Sequence, residues 1–436
     1  MAQFRKDTHK YLPQETTLFE TVMLADQYGN LVGAANPSGM AVDAFGRARV
    51  TSPLTLFDSS HRYRDNGLWV QANNTNTTVT FSPSEGLINL SVSTAANDQI
   101  IRETTKVFSY QPGKSLQVLN TFVMANAQTN LIQRVGYYGA NNGIYLEQAN
   151  GSIFLVERTS SSGSMTENRI AQADWNVDTL LGAVDSSPSQ KTLDLSKAQI
   201  LFTDIEWLGL GTVRCGFVID GQLIHCHSFH HANRISTTYM TTASLPLRYE
   251  IKNVGPTGNS STLKQVCSSV ISEGGYELRG FQQSVGNPIN VPRELISGNT
   301  AYPALSIRLK EDRSDAIVIA TAISLLGIGN NGRFVWKVVR NATLGNTSWT
   351  SAGTESAVEY DLNANTISGG ITMAQGYFAS STQSSVPVDI LKEALFKFQL
   401  ERNGLTGERY PLTISVTGVA SGDDVLTSID WEEVSR

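Results

Sequence analysis

Along most of the chain, apolar and polar positions alternate in short runs separated by Gly, Asn, Asp and Pro, the pattern of half-buried strands joined by tight turns. Between residues 61 and 286 the candidate strands are 76–81, 87–93, 99–108, 115–124, 130–138, 144–148, 152–159, 200–207, 212–219, 223–229, 245–253, 261–272 and 275–283. Most run to ~5 to 10 residues, ordinary for strands. Asn141-Asn142-Gly143 and Asn150-Gly151 mark hairpin turns. A period of 3.6 is scarce, with one helical turn conceivable at 176–181 and another at 196–199. This is the pattern of an all-β sandwich or barrel.

One hairpin can be registered from sequence. Two β-rich arms meet at Asp220-Gly221, and a type I′ turn needs positive φ at both central residues. A two-residue loop there sets Ile219 opposite Gln222, Phe217 opposite Ile224 and Cys215 opposite Cys226. Alternation then puts Cys215, Phe217, Ile219, Ile224 and Cys226 on a core face. Arg214, Val218, Leu223, His225 and His227 fall on the other, open to solvent, a ligand or a partner. A slip of one residue would exchange the faces.

Outside this region the pattern changes twice. Residues 1–60 alternate weakly and are crowded with turn signals, so they read as an extended arm that must lie along another surface. Residues 287–300 (NPINVPRELISGNT) read as a Pro- and Gly-punctuated linker. A second, smaller β-rich domain is expected over 301–436, with strands near 303–309, 316–326, 334–339, 358–361, 412–417 and 425–431. Within it, 389–401 (DILKEALFKFQLE) carries Ile390, Leu391, Ala394, Leu395 and Phe398 at helical spacing, which makes it the best helix candidate, with a continuing strand as the alternative.

Composition narrows the function classes. The chain has 436 residues, enough for two or three domains, and 40% are hydrophobic, enough for real cores. Charged residues make up 17%, and 33 Lys and Arg against 39 Asp and Glu leave a net charge of −6, which disfavours a grip on nucleic acid. The opening MAQFRKDTHKYLPQ has no apolar stretch of the secretory type. The longest apolar run, 316–329, is too short to span a bilayer as a helix, so no membrane partner is expected. Three cysteines, Cys215, Cys226 and Cys267, are too few for a disulfide scaffold and read as core thiols.

Residues 43–58 (DAFGRARVTSPLTLFD) resemble the DAFGRLRVS-type segment found near the N-terminus of many tailed-bacteriophage virion proteins, with Ala48 where Leu is usual. The closing stretch 423–433, after Gly404-Leu405-Thr406-Gly407, is similar to the closing segment of the same family, and Phe229-His230-His231-Ala232-Asn233 also resembles a pattern of that family. The strand succession from Arg134 to His231 resembles a concanavalin-like jelly roll. These resemblances imply a structural component of a tailed-phage particle, placed on head, neck or tail and assembled in the bacterial cytoplasm. Other virion proteins and further copies of the chain would be its partners, with Phe45, Arg47 and Arg49 anchoring the arm.

Candidate chemistry adds little to that picture. Asp204-Ile205-Glu206 is similar to the last two acids of the E-x-D-x-E strand of jelly-roll endoglucanases, which put their carboxyls on one face of a strand. The first acid falls on Phe202, so the nucleophile is missing and no enzyme is expected. His225 and His227 suit metal ligation by spacing, but no carboxylate or thiolate accompanies them, and neither metal nor cofactor is expected. Tyr137, Tyr138, Tyr145, Trp175 and Trp207 could stack on sugar rings, which makes a host-surface glycan the alternative partner. Asp204, Glu206, Trp207, His225 and His227 are therefore the expected ligand or interface face.

Overall fold

The computed structural model describes residues 52–435 apart from 184, 278, 329–331 and 381–397, together with an antiparallel pair Leu24–Ala25 and Leu31–Val32. The chain divides into two compact units, Met1–Ser52 and Pro53–Arg436. Phe45, Arg47 and Arg49 lie outside the described residues, as does 389–397 of the expected helix. The last four residues of that helix, from Phe398 to Glu401, are not α-helical: Gln399 bridges Ile319, and Glu401 opens the strand Glu401–Asn403. Among the described residues there is no α-helix, and the two 3-10 turns are Gln172–Asp174 and Glu311–Arg313.

Two antiparallel sheets face each other in the first part of the larger unit, and the chain crosses between them repeatedly, as in a jelly roll. The seven-stranded sheet runs, edge to edge, Thr166–Ala171, Ser152–Thr159, Gly143–Ala149, Leu131–Tyr138, Leu247–Asn253, Gln99–Thr104 and Trp69–Asn73. The eight-stranded sheet begins with Gln222–Phe229, Val213–Ile219 and Gln199–Ile205 and continues through Leu116–Val123 to the long strand Ser261–Ser272. One end of that long strand pairs with Leu87–Val92, the other with Leu54–Ser60, a segment that the sequence pattern assigns to the arm. Alternate residues from both sheets meet in one core that includes Ile100, Val118, Phe122, Val135, Leu146 and Phe217.

The second part is also all β. A six-stranded sheet built around Ala301–Leu309, Leu412–Gly418 and Arg333–Arg340 shares its core, with Ile307, Val338, Ile414 and Trp431, with a four-stranded sheet centred on Asp423–Ser435. The expected linker 287–300 contains a strand of that second sheet, Arg293–Leu295, and Phe281–Gly286 also pairs with Asp423–Ser435. Its single fully buried side chain, Leu295, gives so short a strand no visible alternation. The two parts are tied by Arg402, which donates to Glu103 of the seven-stranded sheet at 2.8 Å and to Asp315 at 2.7 Å, and by a hydrogen bond from the Gln399 side-chain amide Nε2 to the Val107 carbonyl.

The hairpin confirms its turn and corrects its register. Asp220 and Gly221 both have positive φ, 52° and 74°, and Ile219 faces Gln222 while Phe217 faces Ile224. Beyond Gly216 a β-bulge intervenes: Gly216 faces His225, and Cys215 faces His227 rather than Cys226. Cys226 is the extra residue of the bulged strand. It stays in the core with Cys215, both thiols free and buried. The bulge reverses the alternation beyond it, so His227 and Phe229 share the inter-sheet side with their partners Cys215 and Val213, and His225 alone stays on the outer side.

Candidate functional site

The expected face is split between two clefts. Asp204 and Glu206 line the first, about 470 Å³, with Lys114, Ser115 and Arg214. Asp204 leaves the strand Gln199–Ile205 opposite Arg214 of the neighbouring strand, and the two are ion-paired. Burial raises the Asp204 pKa above the usual carboxylate range against the pull of Arg214, and Glu273 and Glu206 push it further up. Phe202, which stands where a nucleophile would be, lies against Gly216: a Cβ built there would come within 2.6 Å of its ring. The position is thus filled by an aromatic ring seated on a glycine of the next strand.

Trp207 lies just past that strand and does not present its ring. It is half-buried, its Nε1 donates to the Met240 carbonyl at 3.3 Å, and its edge meets Tyr110 at 5.9 Å between centroids. The other rings considered for sugar stacking are likewise used internally. Tyr137, Tyr138 and Tyr145 are 0% exposed and Trp175 is 4% exposed. Tyr138 and Tyr145 pack on each other, 4.4 Å apart, on the outward face of the seven-stranded sheet. Ion pairs, Arg134 with Glu147 at 2.6 Å and Arg158 with Glu167 at 2.7 Å, fill the space around them.

The second cleft, about 480 Å³, opens where the edge strands Thr166–Ala171 and Gln222–Phe229 leave the two sheets apart. His227 enters it because of the bulge, and Glu157 reaches it from the inward side of Ser152–Thr159. His231 lies between Glu157 and Tyr239. Its ring is stacked on Tyr239 at 3.9 Å with an interplanar angle of 4°. Its Nδ1 donates to the Gly211 carbonyl at 2.6 Å, while Nε2 sits 2.9 Å from a Glu157 oxygen, in ion-pair contact without the alignment of a hydrogen bond. Burial works against a charged ring there, but Glu157 and the Gly211 carbonyl outweigh it and raise the His231 pKa above its ordinary value.

His225 and His227, expected side by side, do different things. His225 on the outer side donates from Nε2 to the His227 carbonyl at 3.1 Å and lies 2.9 Å from Ser228 Oγ. Burial lowers its pKa, and nearby Arg214 adds to the effect. His227 is 6% exposed, packs edge-on against Phe229, and accepts the backbone N–H of Asn176 at Nδ1, 3.2 Å away. Burial lowers its pKa to about 4, so the ring is neutral at pH 7. The side chain of Asn176 pairs with both backbone groups of Ser228, closing the edge of the hairpin strand as a further strand would. Among the described residues, no group of three His, Cys, Asp or Glu side chains is placed to hold a metal ion.

Sequence reasoning does not single out Glu157, Tyr239 or Asn176. They come to the histidines from separate strands and loops, and only the stacking of the two sheets brings them together. The presence of an inward-facing Glu in the run Phe154-Leu155-Val156-Glu157-Arg158 is the one available signal, since a carboxylate on a core face requires a partner.

No family model matches the sequence, and no curated protein matches it either. Solved structures that are similar include a protein of unknown function from Shewanella oneidensis MR-1, at 13% identity and a TM-score of 0.33, covering 53% of this chain and 91% of that one. The carbohydrate recognition domain of Emp47p is similar at 11% identity and a TM-score of 0.32, over 53% of this chain and 99% of that domain. A legume lectin-like domain from Entamoeba histolytica is similar at 9% identity and a TM-score of 0.30, over 52% and 100%.

Proposed function

We propose that this protein is a structural component of a tailed-bacteriophage particle, assembled in the host cytoplasm and acting through contacts with other virion proteins and with copies of itself rather than through catalysis. One observation carries the reading. The chain divides into its two compact units between Ser52 and Pro53, inside the run DAFGRARVTSP that resembles the virion segment. The resembling part thereby falls at the end of a unit that a separate all-β body follows, an arrangement suited to an anchor and a displayed body. Several copies on a symmetric particle hold through weak interfaces acting together. In the body, the Asp204 carboxylate is already bound to Arg214 and Phe202 stands in the nucleophile position, which supports a non-catalytic role.

The test is deletion of residues 1–52. The remaining body should unfold at the same temperature as the body of the full chain and should be missing from purified particles. Normal incorporation of the truncated chain would sink the anchoring role. Immunogold labelling of intact particles would then fix its position on head, neck or tail.

A further inference from the structure

We propose that the cleft between the edge strands Thr166–Ala171 and Gln222–Phe229 binds a small molecule carrying adjacent hydroxyl groups, either a free polyol or one exposed sugar unit. The argument starts from the tautomer of His227. Nδ1 accepts the Asn176 N–H, so it carries no proton, and in the neutral ring the proton is on Nε2. That N–H has no partner among the described residues. It is also not among the buried polar atoms sealed from solvent, unlike the hydroxyl of Tyr239, and His227 is one of the residues lining the cleft. A ring held in place by burial therefore presents one fixed donor to an open space.

The rest of the lining complements it. Glu157 supplies carboxylate oxygens as acceptors, held 2.9 Å from the His231 ring. Thr159, Thr237 and Thr238 add hydroxyls that both donate and accept, and Phe229 and Ile170 form an apolar wall. A fixed donor, a carboxylate acceptor, hydroxyls and an apolar wall are what a vicinal diol on a carbon ring asks for. A metal ion is the wrong ligand, because the same tautomer leaves Nε2 without a lone pair. The site also differs from the stacking platform that the buried tyrosines would have made.

Saturation-transfer NMR on the full chain tests this with glycerol, methyl glucoside, methyl galactoside and N-acetylglucosamine as probes. Saturable binding of glycerol alone identifies a free-polyol site; binding of a glycoside identifies a sugar-unit site. His227→Asn keeps an oxygen for the Asn176 N–H and removes the Nε2 donor, and it should weaken binding about tenfold. His227→Gln, whose amide reaches the Nε2 position, should recover part of the loss. Thr237→Trp crowds the exposed mouth without touching the core and should abolish binding. No saturable signal from any probe, or binding indifferent to both His227→Asn and Thr237→Trp, overturns the proposal. Incorporation into particles is read separately, so failure here leaves the assembly reading standing.

Discussion

Two acid–base contacts in the sandwich look equivalent as residue types and are not equivalent physically. Glu157 and His231 are both buried, 8% and 5% exposed in their side chains, whereas Asp204 is buried but its partner Arg214 is 58% exposed. The first pair is built into the space between sheets, with the imidazole fixed by Gly211 on one side and Tyr239 on its face. The second stands on a strand surface where water reaches the guanidinium. Burial and supporting contacts, not the identity of the acid, decide which cleft has a rigid floor. The sequence draws attention to Asp204 and Glu206; the structure draws it to Glu157.

The largest expected effect comes from that contrast. Below the native pKa of His231, where the ring is protonated, Glu157→Ala leaves it buried without its counter-charge, and removing one partner of a buried ion pair costs about 3 kcal/mol or more. A urea midpoint should fall accordingly, and the His231 ring, followed by NMR, should titrate at lower pH than in the parent. An unchanged midpoint would mean that the Glu157 contact contributes nothing and that the two clefts are alike after all.

A second effect is in the pH dependence, and its sign separates the histidines. His61 and His227 both have native pKa values lowered to about 4, in each case first by burial, from an ordinary value of 6.5. Between pH 6.5 and about 4 the unfolded chain binds protons that the native state refuses, so their contribution to stability is present above pH 6.5 and is lost as pH falls through that window. His231, with a raised pKa, runs the other way: its contribution is full below pH 6.5 and is lost as pH rises through its native value. His227→Asn should therefore flatten the acid limb of a stability–pH curve, and Glu157→Gln should flatten the alkaline side. If His227→Asn leaves the acid limb as steep as before, the buried neutral ring is not its source.

Legibility in the sequence varies residue by residue. The strands Ser261–Ser272 and Ser152–Thr159 are readable to their ends, because each is a run rich in apolar and β-branched residues bounded on both sides by Gly, Asn and Ser turn residues. The Asp220-Gly221 turn is readable because its backbone demands those residues. The bulge at Cys226 is not, since an extra residue in one strand leaves hydrophobicity unchanged, Cys226 remaining buried, and shifts only the positions beyond it. That one residue moves His227 from the expected outer face into the inter-sheet cleft. Trp69–Asn73 escapes detection because Trp69 is its only buried side chain. The pairing of Glu157 with His231 depends on two sheets stacking, which no local pattern encodes.

The smallest expected effect is the most discriminating for the acid cleft. Arg214 meets Asp204 on the strand surface, and an ion pair with one partner in water contributes about 0 to 1 kcal/mol. Arg214→Ala should therefore move a urea midpoint barely beyond error, while allowing the Asp204 carboxyl, already raised by burial, to rise further because the guanidinium was the group opposing that shift. Carbonyl chemical shifts of Asp204 against pH would show it. A loss as large as that for Glu157→Ala would make the surface pair a structural keystone, and the distinction between a solvated strand face and a built inter-sheet cleft would fail at its weaker end. A small loss together with the raised carboxyl pKa would instead leave Asp204 as a protonatable acid beside Glu206, held in place by the strand and not by its salt bridge.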